Sequence, residues 1–435
     1  MFFKSKTFFN WGRNIQINPK KIVPKNYDEL KKITYKKSFI IQGNQRSYGD
    51  VCLNRKILVS MKNFNKIKYF DRKNGIIEIE SGMLLKNLLP IIIGKGWFVP
   101  ITPGTKYVSL GGMIANNVHG KNINKNQIKH YVKEIKLLGL NKKIINCTEK
   151  KNKKIFYLTI GGYGLTGIIL SVTLKLKKII SPYLDQKIIE FNNYKKFFSI
   201  SNNIKNYEYS VFWIENFTEK KIQGLNYLAK HSKIKDKQLP YFTERKIGYI
   251  NSLISKLIIK NYYFSRIINF IYKNYKKYFY KKKGDFEEVF YPQDYFIDWN
   301  KVYGNSGFFE IQFLVPKKKF KKILAKIHFF FKKEKVFSPF VVIKKVNERG
   351  KYLNFCGSGY SISLDFGINK NFEKIKIFFN SIIKENKLRV NFSKDLIVDR
   401  TNAFNYPGFK TFKKEISLLN PQKKLNSIFS KRLKI

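Results

Sequence analysis

Three glycine-rich segments constrain the fold of this 435-residue chain more than any other feature. They occupy residues 41–50, 102–122 and 161–167, which read IQGNQRSYGD, TPGTKYVSLGGMIANNVHGKN and GGYGLTG. Glycine lets the main chain turn tightly and lets a ligand approach it closely, so backbone N–H groups can surround a diphosphate. Neither of the first two segments matches the GxGxxG or the GxxxxGK[ST] pattern. Three such loops along the chain predict one long cofactor that lies across a single domain.

The segments between these loops predict strands and helices in an irregular order. Short apolar or alternating runs predict strands at residues 36–42, 57–61, 76–80, 132–140 and 165–176. Ser81 is a candidate N-cap for a helix over residues 83–93, which Gly94 and Gly96 would end. This order favours an α+β fold over a regular βαβ array. The length allows two domains.

The charge of the chain allows two interpretations. The formal net charge is +57, and only ten of the 86 basic residues are arginine. Lysine is spread along the whole chain beside abundant Ile, Asn, Phe and Tyr, which is typical of compositional drift rather than of a phosphate-reading patch. We therefore expect no nucleic-acid partner. The excess charge would still favour anionic phospholipid headgroups, by about 1 kcal/mol for each basic side chain near the surface.

Cysteine spacing and hydropathy suggest a reducing compartment. Cys52, Cys147 and Cys356 lie far apart, so neither a disulfide framework nor a CxxC metal site is expected. The first residues lack the apolar stretch and small-residue cleavage site of a signal peptide. There is no run of eighteen or more apolar residues, so no membrane-spanning helix is expected. These features predict a cytoplasmic protein without a metal.

The character of the chain changes after about residue 182, where lysines and aromatic residues dominate. Residues 248–283 mix apolar, aromatic and basic side chains at loosely helical spacing. They are either a helical part of a second domain or an interfacial helix that contacts a membrane. The runs 308–316 and 360–366 alternate apolar and polar residues, so their polar faces either meet solvent or line a polar cavity.

The motifs RSYGD, TPGT, HGKN and GLTGII, in this order, resemble the FAD domain of the vanillyl-alcohol-oxidase-type (PCMH-type) flavoproteins. Within that family, the chain is most similar to the oxidases of lipid-linked sugars. The resemblance runs from Trp11 nearly to Leu433 and is thin between about 180 and 285. It implies an α+β fold with an FAD-binding domain at 1–181, completed by 389–435. It also implies a substrate domain with an antiparallel sheet at 182–388.

The resemblance places FAD contacts in all three loops. The cofactor-binding residues that it implies are Gly43, Asn44, Gln45, Arg46, Ser47, Tyr48, Gly49, Asp50, Gly104, Ser109, Leu110, Gly111, Gly112, Asn116, Asn117, Val118, His119 and Ile169. Some members of the family attach FAD covalently through a histidine in the first loop. Here that position holds Arg46, so the FAD is expected to be non-covalent.

Few protein groups are needed for flavin oxidation of an alcohol, because the cofactor accepts the hydride and the protein handles a proton and charge. His and Lys are therefore the candidates near the ring. Of the four histidines, only His119 lies in a glycine-rich cofactor motif. The resemblance adds Lys121 and Lys394 as catalytic residues. It places Lys394 between the flavin pyrimidine edge and the substrate hydroxyl, where a cation stabilises developing negative charge.

The resemblance also assigns the polar faces of two strands to the substrate pocket, against the solvent alternative. The implied substrate-binding residues are Glu310, Gln312, Lys344, Ser361 and Ser363, and Lys345 is the alternative to Lys344. The family pattern has glutamine, asparagine and cysteine where this chain has Glu310, Ser361 and Ser363. It has tyrosines at the positions of Phe290 and Asn391. These departures affect the choice of sugar more than the chemistry.

The resemblance implies oxidation of the 2-hydroxyl of a polyprenyl-phosphate-linked pentose to a ketone. A short-chain NAD(P)H-dependent reductase would be the partner that completes the epimerisation, and the enzyme would lie peripherally at the inner face of the membrane. Two alternatives remain. One is a flavin oxidase of a soluble sugar, alditol or aldonolactone. The other is a basic protein without enzymatic activity, which would have no use for the RSYGD and HGKN motifs.

Overall fold

The computed structural model describes residues 7–234, 248–249 and 261–435. Within them the helices are α1 Tyr27–Ile33, α2 Leu85–Ile93, α3 Leu110–Ala115, α4 Lys153–Thr159, α5 Tyr194–Asn202, α6 Tyr262–Tyr278, α7 Phe286–Phe290, α8 Phe320–Glu334, α9 Phe372–Asn386, α10 Arg400–Phe404, α11 Phe409–Leu419 and α12 Ile428–Arg432. The strands are β1 Phe8–Phe9, β2 Gln16–Ile17, β3 Lys20–Ile22, β4 Ile40–Gln42, β5 Ile57–Ser60, β6 Ile67–Asp71, β7 Ile76–Glu80, β8 Trp97–Phe98, β9 Val132–Leu138, β10 Ile144–Cys147, β11 Ile168–Lys175, β12 Lys177–Lys178, β13 Tyr183–Phe191, β14 Tyr209–Phe217, β15 Ile222–His231, β16 Gly248–Tyr249, β17 Lys283–Asp285, β18 Phe296–Ile297, β19 Phe308–Val315, β20 Val341–Glu348, β21 Gly357–Gly367 and β22 Arg389–Val390.

The first half of the chain forms a small parallel sheet and a larger antiparallel one. The order β3-β5-β4 is parallel, and the order β10-β9-β11-β7-β6 is antiparallel. The first glycine loop follows β4, and the third precedes β11. Mixed helices and antiparallel sheets confirm the α+β prediction.

The prediction that Ser81 caps a helix beginning at residue 83 is wrong. The helix α2 begins at Leu85, its N-cap is Leu84, and no side chain caps it. The reason is that Leu84 forms a β-bridge with Ser109, which keeps the chain extended up to that point. Ser109 itself caps α3, because its hydroxyl accepts a hydrogen bond from Gly112 N–H. The two helix starts therefore lie side by side.

The second half of the chain is built on an eight-stranded sheet in the order β17-β13-β15-β14-β20-β21-β19-β22. In β19 the apolar side chains Phe309, Ile311 and Phe313 belong to the main apolar core. The alternate residues Glu310 and Gln312 are also buried, at 3% and 1% exposure. A strand with polar residues on one of two buried faces lines a polar interior. The cavity interpretation of residues 308–316 and 360–366 is therefore correct, and the solvent interpretation is wrong.

The segment 248–283 contains α6, which packs on the sheet through one face. The rings of Trp213 in β14 and Tyr272 in α6 are 5.0 Å apart, and Lys273 Nζ lies 2.8 Å from Glu215 Oε2. Residues 250–260 of the predicted segment lie outside the described residues. No helix in the described part of the chain has the length and apolar character needed to cross a membrane.

The first glycine loop is packed against the two segments that complete the site. A Cβ at Gly43 would overlap Ser109 Oγ, and a Cβ at Gly49 would overlap the carbonyl of Asp395. Only glycine allows this approach. The loop is thus held between the start of α3 and the loop that follows β22.

Candidate active site

One cavity of about 1080 Å³ is lined by the glycine loops and by the polar face of the eight-stranded sheet. A drug-sized ligand occupies roughly 300–1,000 Å³, so this cavity suits a large cofactor together with a substrate. Most of the predicted site residues line it. Those that line it are Gly43, Asn44, Gln45, Arg46, Ser47, Tyr48, Gly104, Ser109, Gly111, Gly112, Asn116, Val118, His119, Lys121, Ile169, Glu310, Lys344, Ser363 and Lys394.

Six predicted residues are absent from the cavity lining. The hydrogen bonds of two of them, Asp50 and Asn117, explain why their side chains do not line it. Asp50 accepts hydrogen bonds from Arg432 Nε and Nη2 at 2.8 and 3.0 Å. Arg432 also pairs with Asp395 at 3.0 Å, so this charge cluster ties the first loop to the C-terminal helix α12. Asn117 donates to Gln127 and Asn354. The others are Gly49, Leu110, Gln312 and Ser361.

The cavity collects buried polar atoms that have no partner. Within the described residues, ten buried side-chain nitrogen or oxygen atoms lack a hydrogen bond, and five of them belong to residues of this cavity. They are Gln45 Nε2, Arg46 Nε, Ser81 Oγ, Asn116 Oδ1 and His119 Nδ1. An unsatisfied buried polar group costs about 1–3 kcal/mol, so such a concentration fits a polar ligand. The residues present therefore fit FAD, and sequence reasoning missed Ser81 because it gave that residue a capping role.

Arg46 stands at the edge of the cofactor loop between aromatic rings. Its guanidinium lies 4.0 Å from the centre of the Trp11 ring and 5.1 Å from that of Tyr107. Burial lowers the pKa of Arg46. A stacked guanidinium has five N–H donors and no acceptor, so it offers no lone pair for a bond to flavin. This geometry supports the prediction of non-covalent FAD.

His119 is held in one orientation by a chain of amides. Its Nε2 lies 3.1 Å from Gln312 Oε1, which also accepts from Asn391 Nδ2, while Gln312 Nε2 donates to Ser361 Oγ at 2.8 Å. Gln312 Oε1 can only accept, so His119 carries its proton on Nε2 and leaves Nδ1 free. Burial, then Lys344 and Lys394, lower the pKa of His119 to about 3. His119 is therefore a neutral hydrogen-bond acceptor. Gln312 orients His119, Ser361 accepts from Gln312, and neither of the two lines the cavity.

Two of the site lysines are half-buried in the cavity wall and have no acidic partner in the described part of the chain. Lys344 Nζ lies 3.4 Å from the carbonyl of Gly120, and Lys121 Nζ donates to the carbonyls of Val289 and Phe290. Burial lowers the pKa of Lys121 to about 8. Burial, and then the charges of Lys394 and Lys121, lower the pKa of Lys344 to about 7.

The structure decides between Lys344 and Lys345. Lys345 Nζ donates to the carbonyl of Ser201 at 3.1 Å and does not line the cavity, whereas Lys344 does. Neighbouring residues of a strand point to opposite faces, so only one of the two can reach the site.

Lys394 forms an ion pair with a predicted substrate-binding residue. Its Nζ lies 2.6 Å from Glu310 Oε1. Glu310 is directly opposite Asp365 on the neighbouring strand, and Asp365 also lines the cavity. The alternation of β21 puts Asp365 on the same face as Ser363, so the period of two in the sequence already marks Asp365 as a further site residue.

Aromatic residues line the part of the cavity that α6 and the sheet contribute. Those of the sheet and of α7 are Tyr209, Trp213, Tyr227 and Phe290, and those at α6 are Tyr272, Tyr275 and Phe279. No motif marks these positions, because their role depends on how α6 crosses the sheet. The cavity therefore joins polar loops, cations and an aromatic wall.

Comparisons with known proteins agree with this geometry. Residues 22–148 match a family model described as FAD binding domain. The chain is 27% identical to the decaprenylphosphoryl-beta-D-ribose oxidase of Mycolicibacterium smegmatis, over 76% of this chain and 74% of that protein. It is 25% identical to the L-gulonolactone oxidase of Bos taurus, over 40% of this chain and 41% of that protein. It is 28% identical to the D-lactate dehydrogenase of Anaerostipes hadrus, over 33% and 32%.

These matches confirm the predicted resemblance, fold class and cofactor. The chain contains an FAD-binding domain and is an FAD-dependent oxidoreductase that acts on a CH–OH group. The roles of individual site residues and the division into two domains stay predictions.

Proposed function

We propose that this enzyme oxidises the 2-hydroxyl of a polyprenyl-phosphate-linked pentose, with ribose as the sugar, to the 2-keto sugar. This is the first half of an epimerisation to the arabinose form. One observation carries the proposal: a single cavity combines two half-buried lysines that lack acidic partners in the described residues with an aromatic wall that reaches an exposed apolar helix face. The similarity to a decaprenylphosphoryl-beta-D-ribose oxidase supports it.

The lysines favour an anionic substrate. Burying an ammonium group without a counter-charge is costly, and Lys121 and Lys344 donate only to backbone carbonyls among the described residues. A phosphodiester near these two groups would supply the missing charge and restore their ordinary pKa. A neutral sugar or lactone would leave them uncompensated.

The aromatic wall favours a lipid tail that leaves the cavity toward a membrane. Tyr272 and Tyr275 of α6 line the cavity although they are 38% and 56% exposed, and α6 also exposes an apolar stripe. The exposed side chains of this stripe are Tyr263, Ile267, Phe270, Ile271 and Tyr278. An amphipathic helix with aromatic and basic residues suits the interface of an anionic membrane. We therefore place the enzyme peripherally at the cytoplasmic face of the membrane.

The protein groups would bind and orient the substrate. When bound, FAD supplies the hydride acceptor for the alcohol carbon. Lys344 and Lys121 would hold the phosphate, and His119 Nδ1 would accept a hydrogen bond. Lys394 would stabilise negative charge that develops during the reaction. A ketone must then be reduced from the opposite side to complete an epimerisation, so the partner is a short-chain NAD(P)H-dependent reductase.

A second candidate function is the oxidation of a soluble sugar, alditol or aldonolactone. The similarity to L-gulonolactone oxidases favours it. That similarity covers 40% of this chain and 41% of the bovine protein. The two candidates differ in whether the substrate is an anion with a lipid tail.

Anaerobic bleaching of the bound flavin distinguishes the two candidate functions. The purified yellow protein is mixed with a short-chain polyprenyl-phosphoryl ribose, the arabinose counterpart, free ribose, an alditol and a gulonolactone. We expect reduction with the polyprenyl-phosphoryl ribose and little with the free sugars. Reduction by the lactone or alditol alone would establish the second candidate instead.

Liposome binding tests the proposed membrane contact. The double substitution Ile267→Ser and Ile271→Ser removes two aliphatic side chains from the exposed stripe of α6. The matched control places serine at Ile377 and Leu418, which are exposed to 68% and 66% elsewhere on the protein. We expect the first variant to lose binding to anionic liposomes while both keep their flavin. Equal binding by the two variants would remove the membrane contact from the proposal.

A further inference from the structure

Two carboxylates face each other inside the cavity. Glu310 of β19 and Asp365 of β21 are directly opposite in the antiparallel register, and both line the cavity. Side chains opposite each other in such a pair have Cβ atoms about 4.5–5.5 Å apart. Both residues are almost completely buried, with 3% and 4% exposure. The two acids therefore share one small space that is shielded from bulk water.

The charges around Glu310 and Asp365 favour a state in which only one of the two carboxyl groups is ionised. Lys394 Nζ lies 2.6 Å from Glu310 Oε1, whereas in the described part of the chain the Asp365 carboxyl group receives only the hydroxyl of Tyr303, at 3.3 Å from Oδ2. Lys344 and Tyr48 are the other titratable groups near the pair. When two buried carboxylates face each other and only one of them is paired with a cation, the repulsion between like charges and the loss of water favour a proton on the other. Burial and the charge of Glu310 raise the pKa of Asp365 well above its usual range, so the proton belongs to Asp365.

We propose that Glu310 is the proton acceptor for the hydroxyl that this enzyme oxidises, and that Asp365 stays protonated beside it. When bound, FAD would supply the acceptor for the hydride of the C–H bond that breaks. The O–H bond breaks and its proton passes to a carboxylate oxygen of Glu310, while the carbon–oxygen bond becomes a double bond. The step balances with the oxidised cofactor as the only co-reactant. It rests on oxidation of a CH–OH group and not on the identity of the sugar.

The other candidate bases are less suitable. His119 is half-buried in the cavity wall, and desolvation, then the charges of Lys344 and Lys394, lower its pKa to about 3. Lys344 becomes an ammonium ion once it holds an anion, and Lys394 is already paired as one. Glu310 thus remains the available base. When it takes up the proton, Lys394 loses its counter-charge and can stabilise negative charge that develops elsewhere in the site.

The first test needs no substrate. Infrared spectra of the FAD-loaded protein at neutral pH should show the carbonyl stretch of a buried protonated carboxyl group, and Asp365→Asn should abolish it. In Glu310→Gln the same band should also disappear, because Asp365 becomes the only carboxylate beside Lys394 and ionises. The matched control is Glu215→Gln, a buried carboxylate paired with Lys273 at 2.8 Å, which should keep the band. A band that persists in Asp365→Asn would overturn the assignment.

The second test uses whichever CH–OH substrate bleaches the flavin. Glu310→Gln should slow anaerobic reduction of the flavin by about 10²–10⁴-fold, the usual contribution of a general base. Glu310→Asp should restore part of this rate, and flavin content checks that each variant is folded. Native-like reduction by Glu310→Gln would refute the proposal, whereas inactivity of polyprenyl sugars alone would refute only the proposed substrate.

Discussion

Substrate binding should weaken steeply as the pH rises above 7. Lys344 is the reason, because burial and the neighbouring Lys394 and Lys121 hold its pKa at about 7. A sugar phosphodiester keeps the same charge through this range, and its contact would return the lysine pKa toward the ordinary value of about 10.4. Binding therefore takes up a proton wherever Lys344 is neutral in the free enzyme.

The sign and size of the pH dependence of binding follow from the difference between the Lys344 pKa in the free enzyme and that in the complex. Below about pH 7 the ammonium ion already exists, so the affinity is constant. Above it, each pH unit weakens binding about tenfold, or about 1.4 kcal/mol, until the pKa of the bound state is reached. Between about pH 6 and pH 9 the loss from Lys344 is roughly 100-fold. Lys121, with a pKa of about 8, adds roughly a further tenfold if it also contacts the anion.

Quenching of flavin fluorescence by a short-chain polyprenyl-phosphoryl pentose, at constant ionic strength, measures the affinity. Lys344→Met should weaken binding at pH 6 and flatten its pH dependence. Lys345→Met is the matched control, because that side chain points away from the cavity to the carbonyl of Ser201. An affinity that stays the same from about pH 6 to pH 9 would refute the reasoning, as would equal flattening by both variants.

Three further predictions concern the cofactor and the sheet. Acid precipitation should release all the flavin into the supernatant, because Arg46 cannot form a covalent bond to it; fluorescence retained by the denatured protein would contradict this. Lys394→Ala should keep FAD and slow flavin reduction by roughly 10²-fold or more, measured by anaerobic stopped flow; native kinetics would exclude a catalytic role. The family pattern has a cysteine at the position of Ser363, and nitroaromatic inhibitors attach covalently to that cysteine. Ser363→Cys should therefore gain a stable adduct with such inhibitors after turnover, because a thiolate is a far better nucleophile than serine. Mass spectrometry should find none on the native protein, and an adduct there would contradict the prediction.

The sequence predicted the parts of the fold that depend on local patterns. The glycine loops predicted FAD, and the period of two in residues 308–316 and 360–366 predicted strands with a polar face. The start of α2 was predicted wrongly, since it depends on a bridge between Leu84 and Ser109 that no local pattern reveals. Asp50 was predicted to bind the cofactor, but its partner Arg432 lies 382 residues away in the sequence.

Composition could not identify the functional lysines. With a net charge of +57, a lysine in this chain is ordinarily a solvated side chain. Lys121 and Lys344 differ from that background because they are half-buried in the cavity wall and have no carboxylate partner among the described residues. Burial depends on how the strands and the α7 segment meet, so only the structure separates these two from the rest.

The departures from the family pattern have a common physical consequence. The resemblance implies glutamine, asparagine and cysteine where this chain has Glu310, Ser361 and Ser363, and all three lie on the polar face of the sheet. Glutamine beside Lys394 would leave its ammonium without a counter-charge, whereas Glu310 neutralises it and also brings a base to the cavity. A carboxylate opposite Asp365 is tolerated only because Asp365 keeps its proton. The substitution at Glu310 therefore changes how the proton is handled, while the smaller serines leave room for a different arrangement of the sugar.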